Sequence, residues 1–281
     1  MLGKLIKNEF KTTWQSMMGI YLAAGITAVV MVLLIAFKLK VITTLGSITL
    51  VGISIVALIM TIIMVITNYY RSMFSIQGYL TFTLPVKSSQ LLFSKAIVSF
   101  IWILLSFVLA GAILVFLFFY LVAQASDGIK GITKSFYDML QQIKGIPDVS
   151  TVKFLLALLT VVGFISLLAF VCKVYFSMTI ANTKIFGKMN TTLASIIVYV
   201  LIYIVSQIIN VLCVKFVPLA FIINGNEVRI EFTRNMIEQV TNSSSAAAIT
   251  IPIGGYIFSI IIAVVLYFIT SNLIKTKVNL K

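Results

Sequence analysis

The sequence predicts an all-α membrane protein: six transmembrane helices preceded by an N-terminal amphipathic helix lying in the membrane plane. Three observations carry this. Six long apolar runs fill the chain, at 17–37, 47–69, 96–122, 152–180, 191–216 and 251–272. Each reaches the roughly 20 residues a helix needs to cross about 30 Å of hydrocarbon. The chain is 61% hydrophobic with a mean hydropathy of +1.15, far from the values of a water-soluble domain. Its 21 Lys and Arg, against seven acids, gather at the ends of the runs, where such residues meet headgroups and set topology. A backbone inside lipid must satisfy its own N–H and C=O groups, so segments this long cross as helices.

The elements follow in order. Over residues 1–15, Leu2, Leu5, Ile6, Phe10 and Trp14 fall on one helical face and Lys4, Lys7 and Lys11 on the other. That pattern predicts an in-plane interface helix, with Leu5, Phe10 and Trp14 against membrane lipid. Sixteen residues precede span one, and its run exceeds a signal peptide's apolar core, so span one is read as retained. In the loop 123–151, Ile129, Ile132, Phe136, Met139, Leu140 and Ile143 recur at helical spacing until Gly145 and Pro147 stop it. In the loop 217–250, Pro218 and Asn224-Gly225 mark breaks, and 231–240 reads as one short helix. Pro252, Gly254 and Gly255 soften the start of span six. Neither loop is long enough for a core of its own, so the whole chain 1–281 reads as a single transmembrane domain.

Charge gives the orientation. With the N-terminus in the cytoplasm, six spans return the C-terminus there. The cytoplasmic side then holds twelve Lys and Arg against nine outside. Among the acids only Glu9 is inside. The loop 70–90 is cytoplasmic, and 123–151 and 217–250 are outer. The expected location is the cell membrane, multi-pass.

Several chemistries are disfavoured. The chain has no histidine, and Cys172 and Cys213 lie inside spans without a Cys-x-x-Cys spacing, so no catalytic, metal or cofactor residues are assigned. The positive charge forms no basic face on a soluble element, which argues against nucleic acid. No assigned span contains Asp or Glu, as proton- or sodium-coupled carriers usually require. Lys173 and Lys215 are read as snorkelling from span ends. No Gly-x-x-x-x-Gly-Lys-Ser/Thr occurs; Gly187-Lys188-Met189 lacks the spacing and the hydroxyl. The chain is therefore not expected to be an enzyme or its own motor.

The most specific segment is the inner loop. It runs Tyr70-Arg71-Ser72-Met73-Phe74-Ser75-Ile76-Gln77-Gly78-Tyr79-Leu80-Thr81-Phe82-Thr83-Leu84-Pro85-Val86, then Lys87-Ser88-Ser89-Gln90-Leu91-Leu92-Phe93-Ser94-Lys95. Met73, Phe74, Ile76, Tyr79, Leu80, Phe82 and Leu84 make it too apolar for a free cytosolic loop, so it is covered by its own bundle or by a partner. Pro85 interrupts any continuing helix, and Ser88 is a fair N-cap for the next.

This loop resembles that of the permease subunits of ABC exporters of the ABC-2 type. There a stretch like Gly78-Tyr79-Leu80-Thr81-Phe82-Thr83-Leu84-Pro85-Val86 follows span two, and one like Leu91-Leu92-Phe93-Ser94-Lys95 opens span three. The resemblance implies a transmembrane permease that works with separate ABC ATPase subunits, which bind the ATP and Mg. It implies a second permease chain, as homodimer or heterodimer. It also implies a coupling loop formed by Met73, Phe74, Gln77, Gly78, Tyr79, Leu80, Thr81, Phe82, Leu84 and Pro85. Relatives often carry acids just before the Gly; here Ser75, Ile76 and Gln77 stand there, so the expected contact is apolar, through Tyr79, Leu80 and Phe82. Spans rich in Phe, Ile, Leu and Met favour an amphipathic or hydrophobic substrate: a peptide, lipid or drug, with antimicrobial-peptide export or immunity first. A secondary transporter and a non-transporting membrane subunit remain the alternatives.

Overall fold

The computed structural model describes residues 2–36, 40–78, 86–125, 149–186, 189–216, 219–224, 227–232 and 248–276. These residues include six helices long and apolar enough to cross a membrane, so the chain is a multi-pass membrane protein. Internal contacts divide it into two compact units, each holding three of these membrane helices.

The first unit holds α1 (Leu2–Ala36), α2 (Lys40–Phe74) and α3 (Ser88–Ala125). The separate helix expected over 1–15 does not form. One unbroken 35-residue helix runs through it into span one, reaching about 52 Å, well past the hydrocarbon thickness. Nothing between Trp14 and Met17 breaks a helix. The apolar face of residues 2–14 is also used inside the unit: Phe10 stacks on Trp102 of α3 at 4.7 Å between ring centroids. Further along, Leu50, Ile113 and Leu117 bury together with Ala28, Val51 and Leu109. α3 begins one residue earlier than the expected Ser88 cap. The Lys87 carbonyl accepts from the N–H groups of Gln90 and Leu91, at 3.0 and 3.2 Å, which makes Lys87 the cap.

The second unit holds α4 (Val149–Ala181), α5 (Thr191–Phe216) and α6 (Gly254–Thr276). Its core is Ala169, Cys172, Ala263 and Leu266, with Phe176, Ile202 and Ile262 partly buried around them. The link from α4 to α5 is tight. The Asn182 side-chain amide donates to the Met178 carbonyl at 2.9 Å, and a 3-10 turn covers Lys184–Phe186. Asn190 caps α5: its carbonyl accepts from the Ala194 N–H and its side chain from the Thr192 N–H.

The loop between α5 and α6 departs from the sequence reading. It contains a three-stranded antiparallel sheet of β1 (Leu219–Asn224), β2 (Glu227–Phe232) and β3 (Ala248–Pro252), in the order β2-β1-β3. Residues 231 and 232, assigned to a short helix, end β2 instead; 233–240 lie outside the described residues. The physical reason is an alternation of period two, Glu227-Val228-Arg229-Ile230-Glu231-Phe232. The register sets Phe221 opposite Ile230 and Ile251, on the apolar face. Phe221 meets Phe154 of α4 edge-on at 5.7 Å, fixing that face toward the start of α4. The amphipathic helix expected over 129–143 lies outside the described residues.

Candidate functional site

The predicted coupling segment starts where α2 ends. Tyr69 and Tyr70 flank Phe74 at ring distances of 5.8 and 6.1 Å, the first of them edge-on. Met73 and Phe74 are buried, as is Tyr69. Phe74 therefore packs on the tyrosines of its own helix. The chain then bends. The Ser75 hydroxyl donates to the Arg71 carbonyl, and the Gly78 N–H to the Ser75 carbonyl at 2.7 Å. Ile76 is 83% exposed, Gln77 is exposed, and Gly78 is buried. Tyr79, Leu80, Thr81, Phe82, Leu84 and Pro85 lie outside the described residues. Of the interface-helix residues, Leu5 and Phe10 are half-buried, and Trp14 is exposed although its ring lies 6.0 Å from that of Trp102.

In the same unit α1 and α3 share a buried ion pair, Glu9 with Lys95. The Lys95 side chain is 2% exposed and that of Glu9 14%. Lys95 therefore acts inside the unit, not as the surface charge the sequence suggested. A ladder of hydrogen bonds continues inward from it. Trp102 Nε1 donates to Thr13 Oγ1 at 2.9 Å, and Thr13 donates to the Glu9 carbonyl at 3.0 Å. About two turns further along α1 and one along α3, the Tyr21 and Ser106 hydroxyls meet at 2.8 Å. Ser106 donates to Thr61 Oγ1 at 2.7 Å, and Thr61 to the Ala57 carbonyl at 2.8 Å. Hydroxyls in a membrane interior need such partners, and here they tie all three helices together. Sequence reasoning passed over them because each is a single polar residue in an apolar run.

The second unit holds a polar cavity of about 300 Å³ between α4, α5 and α6. Its lining includes Ser166 and Lys173 of α4, Ser206 and Asn210 of α5, and Gly255 and Ser259 of α6. Lys173 Nζ donates to Ser206 Oγ at 3.0 Å, and Ser206 donates to the Tyr203 carbonyl at 2.8 Å. Lys173 lies about 12 Å from the Ala181 end of α4, and Ser206 about 15 Å from the Phe216 end of α5. Both lie inside their helices, away from the ends, while Gly255 forms the wall of the cavity at the start of α6. The snorkelling reading of Lys173 is overturned, because its ammonium turns to a neighbouring helix. Lys215, by contrast, sits exposed in the last turn of α5, as expected. The signal was present in the sequence: Ser166 and Lys173 are seven apart, and Ser206 and Asn210, like Gly255 and Ser259, are four apart, each pair on one helical face.

Fold and sites together define a multi-pass membrane protein with a cavity between three of its membrane helices. Neither a family model, nor a curated protein, nor a solved structure matches the chain.

Proposed function

We propose that the chain is the transmembrane permease subunit of an ATP-driven ABC exporter of the ABC-2 type, moving an amphipathic or hydrophobic substrate out of the cell. The observation that carries this reading is the inner loop. Its N-terminal end is buried at Met73 and Phe74, and Ile76 and Gln77 are then exposed. A segment fixed at its root and apolar beyond it suits docking to a cytoplasmic partner. The ion pair and hydroxyl ladder tie α1, α2 and α3 together, so a push on the loop at the end of α2 would reach all three. On this reading both termini are cytoplasmic, and ATP with its Mg is bound by partner ATPase subunits. A second permease chain, the same or a relative, completes the complex.

The energy source tests this proposal. Purified alone, the chain is expected to hydrolyse no ATP above background. Substrate export from cells carrying it is expected to stop on ATP depletion and to persist with a proton uncoupler. Collapse with the uncoupler alone supports a secondary transporter instead, and ATP turnover by the isolated chain contradicts the assignment outright.

A further inference from the structure

The cavity of the second unit points to a substrate class. We infer that it receives the acidic head of a lipid-like amphiphile, a phosphate carrying a neighbouring O–H or N–H donor; this deepens the permease reading and rests on it.

Four observations converge. Among the described residues lining the cavity, Lys173 is the one charged residue and none is a carboxylate. An ammonium carries three donors, and the described residues give Lys173 one hydrogen bond, to the neutral hydroxyl of Ser206. An ionisable group within a membrane span is ordinarily paired or functional. Second, Asn210 Oδ1 is buried and has no hydrogen-bond partner among the described residues. Buried polar atoms are rarely left so, and an acceptor in the cavity asks for a donor on the ligand. Third, Gly255 makes room for that acceptor, since a β-carbon at 255 would overlap Asn210 Oδ1. Gly255 also belongs to the first turn of α6, where the Ile253 carbonyl accepts from the N–H groups of Tyr256 and Ile257. The positive end of that helix therefore adds to the field of Lys173. Fourth, about 300 Å³ equals the liquid volume of about ten waters. That admits a headgroup and leaves the acyl chains in the membrane. The flanking faces of α5 and α6 are suited to them, with Ile208, Val211, Ile257 and Ile261 exposed.

The test is binding to the purified full-length chain in neutral maltoside micelles, with no ATPase present. The probes are dioctanoyl phosphatidylglycerol, which is acidic and has hydroxyl donors, and dioctanoyl phosphatidylcholine, which has neither property. The wild-type chain is expected to bind the glycerol lipid at least tenfold tighter. Lys173→Met removes a charge-assisted contact and should lower that affinity by about tenfold or more, leaving phosphatidylcholine binding unchanged; Lys173→Arg should restore it. Asn210→Ala and Gly255→Ala, should Lys173→Met not fold, are each expected to weaken the glycerol lipid several-fold with no effect on the choline lipid. Equal affinity for the two lipids, or indifference to all these changes, overturns the inference. So does binding of a hydrophobic peptide through its free C-terminal carboxylate, with no binding of its amide or of the acidic lipid. Because no ATPase takes part, failure here leaves the exporter reading standing, and failure of ATPase docking leaves this site untouched.

Discussion

Lys95→Ala is expected to lower the unfolding free energy of the chain in mixed micelles by about 3–5 kcal/mol. The effect comes from what the change leaves behind. Glu9 is 14% exposed and Lys95 2%, so removing the ammonium strands a carboxylate among apolar neighbours. The pair itself is worth far less than its rupture, because both ions gave up hydration to form it. Replacing both partners together, Glu9→Gln with Lys95→Met, should therefore recover most of the loss. The comparison is made by unfolding the single and double variants under one set of conditions. A single variant within about 1 kcal/mol of the wild type would show the pair to be solvated, as surface pairs are.

Trp102 carries the second large effect. Its ring stacks on Phe10 and lies 5.8 Å from Tyr21, and its Nε1–H reaches Thr13. Trp102→Ala opens a cavity at the meeting of α1 and α3 and should cost about 3–5 kcal/mol. Trp102→Phe keeps most of the ring and loses only the donor, for about 1 kcal/mol. If the two variants unfold alike, the ring contacts contribute little and the hydrogen bond to Thr13 dominates.

The six membrane helices were legible because the hydrocarbon thickness dictates a run length that few other structures need. Span five matches the observed α5 at both ends, 191–216. Helices α2 and α3 overrun their apolar runs, from 47–69 to Lys40–Phe74 and from 96–122 to Ser88–Ala125, since hydropathy marks where lipid begins and not where hydrogen bonding stops. The N-terminal helix was misjudged for a related reason. An apolar face does not say whether lipid or protein covers it, and Phe10 is covered by Trp102. The sheet was missed although Glu227-Val228-Arg229-Ile230-Glu231-Phe232 alternates strictly, because the helical spacing tried over 231–240 overlapped its end. The cavity was the least legible part. Ser166, Lys173, Ser206, Asn210 and Ser259 come from three helices, and only packing brings them together.

The central claim is that the inner loop docks an ATPase, and the direct measurement is retention of that ATPase by a loop variant. Met73 and Phe74 are buried, so the proposed contact falls to the residues beyond them. Truncating a central aromatic of an interface typically costs about 2 kcal/mol or more, roughly thirtyfold in affinity. Tyr79→Ala with Phe82→Ala is therefore expected to release the ATPase from the purified complex while the six spans still insert. Phe136→Ala, in the outer loop, should leave the complex intact. A double variant that keeps its ATPase and its transport would make the loop a packing element and contradict the coupling assignment.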